Sequence, residues 1–420
     1  MMREGSASRP PLWESLTPPS MWGRPQEHAV AAAGVRVRTA DGITRLCATS
    51  GLWNVPLGYG NEAVADAVGA ALRSASYLSL FRSSHSYAQE AAEMLLARAG
   101  DYARVIFATS GAAANDLTMK LVRQAAALKG APHKNLVVGT QGGYHGLSYG
   151  AFALTGEALG QSVYGVDRRA VRHVSPHDGG AQLRTLFARE GDRIAALVLE
   201  PVQGSGAIAL DEEFLATVAE IRASFDVVLV ADEVATGFGR TGLLFASERW
   251  AVAPDVLLLS KALTNGAAAA SAVLVSAELC DVFDSRDAMF VHAETQAGTP
   301  ASCAAILAAA SEFDRMDALR LSQKLGAALD GTIARIVAHP HVIGTGGIGC
   351  FRSVVLARDG RLFDGGEIAG VVAAVRKAGA IVQPGPGCIQ VIPAYLYGRA
   401  ELDELETAIL HGIDDHERAA

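Results

Sequence analysis

Five short apolar runs constrain most what this 420-residue chain can fold into: VIFA, LVVG, ALVLE, VVLVAD and VLLLS. They are rich in β-branched residues and stand between stretches of helical periodicity such as NEAVADAVGAALRSA, AAANDLTMKLVRQAAALKG and ASCAAILAAASEF. Strands that are apolar on both faces suit a mostly parallel central sheet covered by helices, so the expected fold class is α/β. The pattern covers residues 61–316, read as a large α/β domain. Residues 317–420 read as a smaller α+β domain. It has a long helical segment to Ala338, a Gly-rich turn at Gly344–Gly349, two or three short strands and a final helix from Glu401. Residues 1–60 read as an irregular arm rich in Pro and Ser, then short strands packing with the small domain, with Asp41-Gly42 as a hairpin signal.

Charge and cysteine usage remove several functions. A net charge of −8 argues against nucleic acid as a partner, yet leaves room for a small anion at a helix N-terminus. Cys47, Cys280, Cys303, Cys350 and Cys388 are odd in number and scattered, without a CxxC pair. Neither a disulfide framework nor a metal site is expected, and a reducing cytoplasm is. No apolar run reads as a signal core or a membrane span.

Chemistry concentrates between Val227 and Lys261. One apolar strand delivers Asp232 to its C-terminal end, where open α/β sheets bind ligands, and a second delivers Lys261 in the same way. A buried carboxylate beside a buried lysine suits an aromatic nitrogen heterocycle bearing an aldehyde. The carboxylate keeps the ring nitrogen protonated. The lysine forms an imine and, once displaced, moves a proton as a general base. Taken singly, either residue reads as an ordinary strand end; the whole segment does not.

DEVATGFGRTG and SKALTNG, with SGAAAND, YHG and EPVQG in order before them, resemble the class III (ω-type) aminotransferases of the fold-type I pyridoxal-5′-phosphate (PLP) enzymes. The resemblance runs from Ser50 to Pro393, and is closest in motif style to the amine–pyruvate branch. It implies PLP as cofactor, Lys261 as the Schiff-base lysine and Asp232 at the ring nitrogen. It further implies Ser110, Gly111 and Ala112 at the phosphate, Tyr144 on one ring face beside His145, and Val234 on the other face. Thr295 matches a threonine that reaches the neighbouring subunit's phosphate, which implies a homodimer with shared sites. His145 and His292 taken alone read as structural histidines.

Several positions depart from the family pattern. Ala112 and Ala113 replace a hydroxyl residue and a Glu, and Ala235 replaces a Gln found in many glutamate users. Ser205 and Gln390 stand where other branches pair a Glu with a carboxylate-binding Arg. With Trp53 they are the candidate substrate-pocket residues. Ala267 to Ala270 replace bulkier residues after SKALTNG and could open an entrance, or simply pack tightly. The reading is an aminotransferase with ping-pong half-reactions, moving an amino group from an amine donor to a ketone or aldehyde that lacks a nearby carboxylate. One candidate acceptor is a modified peptide terminus, as in daptide-type pathways. An aminomutase or racemase of the same fold, or a non-catalytic PLP-fold regulator, are the rival readings.

Overall fold

The structure, a computed structural model, describes residues 10–419, so the first nine residues of the expected arm lie outside it. A seven-stranded sheet has the order Tyr102–Ala108, Ser271–Ser276, Val256–Leu259, Val228–Asp232, Ile194–Leu199, Leu136–Thr140, Val171–Val174. The five apolar runs all fall in it. The strands from Val256–Leu259 to Val171–Val174 are mutually parallel. Ser271–Ser276 runs antiparallel to both of its neighbours. Helix Gly111–Leu128 buries Ala114, Leu117, Leu121 and Val122 in one cluster with Val137, Val198, Val230 and Leu258 of the sheet. The alternate strand residues Leu136, Val138, Leu197 and Leu229 pack in a second cluster with Leu183, Phe187 and Phe214, so both faces are dry, as continuous apolar strands require.

Helix starts follow their capping chemistry. The Asn61 side chain accepts from Val64 N (3.1 Å) to begin Glu62–Ser74. Thr299 caps Pro300–Arg315, with proline at the first helical position. Strands Arg36–Thr39 and Thr44–Cys47 form the hairpin expected at Asp41-Gly42, where the Asp41 carboxylate accepts from Thr39 Oγ1 (2.7 Å) and Ile43 N (3.1 Å). The hairpin is then joined in parallel by Ala380–Ile381, so an N-terminal and a C-terminal segment of the chain share a sheet.

The C-terminal part differs from the sequence reading. Most of the Gly-rich stretch is strand, not turn: Val342–Ile348 pairs antiparallel with Phe351–Arg358. A Cβ on Gly347 would lie 1.8 Å from the Phe351 carbonyl oxygen, so the glycine admits a backbone approach. Glycines in a run read as a turn unless the partner strand is known. These strands belong to a five-stranded sheet with Cys388–Val391, Gln383–Gly385 and Arg361–Leu362, more strand than expected. The last helix is Arg399–Ala419. No described helix is long and apolar enough to cross a membrane.

Candidate active site

Three neighbouring parallel strands end side by side, and each delivers a polar side chain. Ala231 pairs with Leu199, so Asp232 stands abreast of Glu200, and Asp232 pairs with Leu258, shortly before Lys261. These ends border a cavity of about 370 Å³. Its wall includes Ser110, Gly111, Ala112, Tyr144, His145 and Val234. Trp53 and Ala235 lie on it too, as do Ala268 to Ala270.

Asp232 is buried and held by more groups than its sequence context reveals. Its Oδ2 accepts from His145 Nδ1 (2.7 Å) and Asn115 Nδ2 (2.9 Å), while Oδ1 takes only Val234 N (3.2 Å). Burial alone would lower the His145 pKa, but the hydrogen bond and charge of Asp232, with Glu200 beyond, bring it above its ordinary value. Glu200 is a site residue that sequence reasoning missed. Its carboxylate accepts from Tyr144 N (2.8 Å) and Gly204 N (2.9 Å). Burial, reinforced by Asp232, pushes its pKa up to about 7. The available signal was that an acid follows ALVL just as Asp232 ends VVLVA. Asn115 was missed as well; its single amide nitrogen also serves the Gly111 and His145 carbonyls.

Lys261 has its Nζ 4.9 Å from the centre of the Trp53 ring and no hydrogen-bond partner among the described residues. Burial lowers its pKa, Arg240 adds to that, and Asp232 and Glu200 oppose it. On the opposite side, Ser110 Oγ accepts from Ala113 N (3.2 Å) and caps helix Gly111–Leu128. The Gly111 and Ala112 N–H groups, first in the helix, find no acceptor within it. The cradle has no spare room. A Cβ on Gly111 would sit 2.9 Å from Val234 Cγ1, and one on Gly146 only 2.4 Å from Ala112 Cβ.

Other expected residues stand apart from the cavity. Gln390 is buried and donates to the Gly204 carbonyl (2.6 Å), and neither it nor Ser205 lines the wall. Thr295 is exposed, its carbonyl accepting from Tyr77 Oη (3.0 Å). The preceding Glu294 reaches the cavity edge, where it accepts from the backbone N–H (3.2 Å) and hydroxyl of Thr109. His292 lies 3.6 Å from Glu294, and among the described residues no cluster of three metal-ligating side chains forms. A second cavity of about 590 Å³ adjoins the first across Asn54, Ala268 and Ala269.

The arrangement fits a flat, phosphate-bearing pyridine. A carboxylate oxygen with unused capacity and an unpartnered lysine line one cavity, and a glycine cradle lies at a helix N-terminus. Such a sheet with such a cavity defines a PLP-dependent transferase. The profile of the family "Aminotransferase class-III" matches residues 24–413. A probable aminotransferase of Mycobacterium tuberculosis is 32% identical over 93% of this chain and 90% of its own length. The omega-amino acid–pyruvate aminotransferase of Pseudomonas putida is 28% identical over 90% of both chains. An (S)-enantioselective omega-transaminase from Thermomicrobium roseum superposes with a TM-score of 0.88 at 28% identity, covering 93% of this chain and 92% of that one. The chain belongs to the class III aminotransferases: it is an enzyme that uses PLP to move amino groups to carbonyl acceptors.

Proposed function

We propose an ω-type aminotransferase whose acceptor is a ketone or aldehyde without a carboxylate beside the reacting carbon. The observation that carries this is the cavity wall: among the described residues it holds no arginine, Lys261 is its only lysine, and its one histidine, His145, is bonded to Asp232. Gln390, at the place of the family's carboxylate-binding Arg, is committed to the Gly204 carbonyl. The two other candidate anchors, Arg82, which is exposed, and Arg399, which pairs with Asp403, do not line the wall. A carboxylate brought into such a cavity loses its hydration without a charged partner, which is costly. The adjoining cavity behind the small Ala268 and Ala269 side chains supports an acceptor with a long extension, and a modified peptide terminus is one that fits.

PLP, when bound, supplies a ring that withdraws electrons from the substrate carbon. In this reading Lys261 Nζ links to the cofactor and, when free, carries the proton to and from that carbon. Asp232 holds a negative charge toward the ring nitrogen, while His145 and Asn115 hold Asp232. The N–H groups of Gly111 and Ala112, with Ser110, would hold the phosphate, and Tyr144 and Val234 would flank the ring. We also propose a homodimer with Thr295 reaching the partner's phosphate, a cytoplasmic location supported by five buried free cysteines, and a division into residues 1–60, 61–316 and 317–420.

An acceptor screen tests the reading. Purified enzyme loaded with PLP and an amine donor should aminate carboxylate-free aldehydes at least about tenfold better, in kcat/KM, than 2-oxoglutarate, since one charge-assisted bond is worth about 1.5–3 kcal/mol. Efficient use of 2-oxoglutarate that survives substitution of Gln390 would overturn it.

A further inference from the structure

Arg240, in the GFGRTG stretch, is fully buried (0% exposed), yet every hydrogen bond it makes goes to a neutral acceptor. Nη1 donates to the Pro393 carbonyl (2.8 Å), and Nη2 to Ser50 Oγ (2.8 Å) and the Trp53 carbonyl (2.9 Å). Its Nε has no partner, and no carboxylate pairs with it among the described residues. The Tyr395 ring, 5.3 Å away, supplies a cation–π contact. An arginine buried without a counter-charge is expensive to keep, and its place shows what that expense maintains.

The two acceptors on the N-terminal side belong to an unusual turn. Ser50, Gly51, Leu52 and Trp53 have φ of 39°, 60°, 56° and 71° in succession, all left-handed, and three of them carry a Cβ. Such a conformation persists only where surrounding contacts over-determine it. Ser50 Oγ passes the restraint on by donating to the Ile392 carbonyl (2.8 Å), so the turn is fastened to the strand that ends at Val391. The Trp53 ring then stands edge-on to Phe351 (5.1 Å) and 4.9 Å from Lys261 Nζ.

We propose that Arg240 is a positioning residue: its guanidinium clamps the left-handed Ser50–Trp53 turn to residues 392–393 and so holds the Trp53 ring beside the Lys261 amine. The clamp shapes the acceptor side of the cavity, which rests on the functional reading above. It also leaves a permanent positive charge near the lysine. The charges bearing on Lys261 are Asp232 and Glu200, which favour its cationic form, and Arg240, which disfavours it.

The test uses full-length PLP-loaded enzyme with Arg240→Lys and Arg240→Met. The pH titration of the visible absorbance of the lysine–cofactor linkage reads the charge, and the split between KM and kcat for a carbonyl acceptor reads the position of Trp53. Arg240→Met should move the titration midpoint up and raise KM roughly tenfold, with kcat changed much less. Arg240→Lys keeps the charge but cannot make the three bonds; its midpoint should stay in place while KM still rises. If Arg240→Met does not fold, the KM of Arg240→Lys decides alone: raised, it supports the clamp, and unchanged, it overturns it. Variants that lose only thermal stability, with midpoint and KM as in the parent, overturn the proposal. A parent enzyme that takes up no PLP, or prefers 2-oxoglutarate, sinks the functional reading instead.

Discussion

Glu200 and Asp232 end adjacent strands, and the groups around each carboxylate set its chemistry. Asp232 is bonded directly to a histidine that can share its charge, whereas Glu200 has two backbone N–H groups and the more distant charge of His145, with burial and Asp232 against it. With a folded-state pKa raised to about 7 from an ordinary 4.5, Glu200 binds more proton folded than unfolded across that interval. Its contribution is therefore fully present below pH 4.5 and is lost as pH rises toward 7. Relative to Glu200→Gln, the parent apoprotein should lose roughly 3 kcal/mol of stability over that window, read by denaturant unfolding at each pH. Parallel pH profiles would contradict this. Lys261 and Asp232 were legible in the sequence because each follows an apolar run and together they suit one cofactor. Glu200, Asn115 and the His145 contact were not, because a single Glu, Asn or His in such places is usually structural. Only the packing shows that they converge.

At the scale of elements, burial was written plainly and direction was not. Runs such as LVVG and VVLVAD identify strands dry on both sides, but SAVLVS is equally apolar and runs the opposite way. No run of side chains encodes which way a strand enters a sheet. Glycine misled more: Gly347 belongs to a strand because its partner's backbone passes where a Cβ would be. Gly146 makes the same argument beside the cavity. It has φ 118°, and a methyl there would meet the first turn of helix Gly111–Leu128 at Ala112. Gly146→Ala should cost about 1–3 kcal/mol of stability and weaken PLP binding at least about tenfold, measured by fluorescence titration. Unaltered PLP affinity would mean that the helix start can shift without disturbing the cradle.

For the whole molecule, the expected partner is a second copy of the same chain. Thr295 lies outside its own cavity wall, while the neighbouring Glu294 touches the cavity edge at Thr109. Large apolar side chains at Phe81, Met289 and Val291 are exposed on the single chain. Thr295→Ala should weaken PLP binding by about 1.5–3 kcal/mol while leaving the sedimentation-derived mass that of a dimer. A parent enzyme that is monomeric and fully loaded at working concentration would end the shared-site reading.

Lys261 is rooted on a short return between two strands of the main sheet, not on a long crossover. Val256–Leu259 leads into it and Ser271–Ser276 leads out. The two limbs are laced at their base, where Ser271 Oγ donates to Ser260 Oγ (2.8 Å) and Ser260 Oγ to the Ala270 carbonyl (2.9 Å). The amine can therefore swing on its four-carbon stem while its root stays fixed to the sheet. If Lys261 has the proposed role, a group that must release its cargo and retake it in every cycle is tethered like a bucket on a short rope, and its reach, set by the stem, limits where a carbonyl can be served.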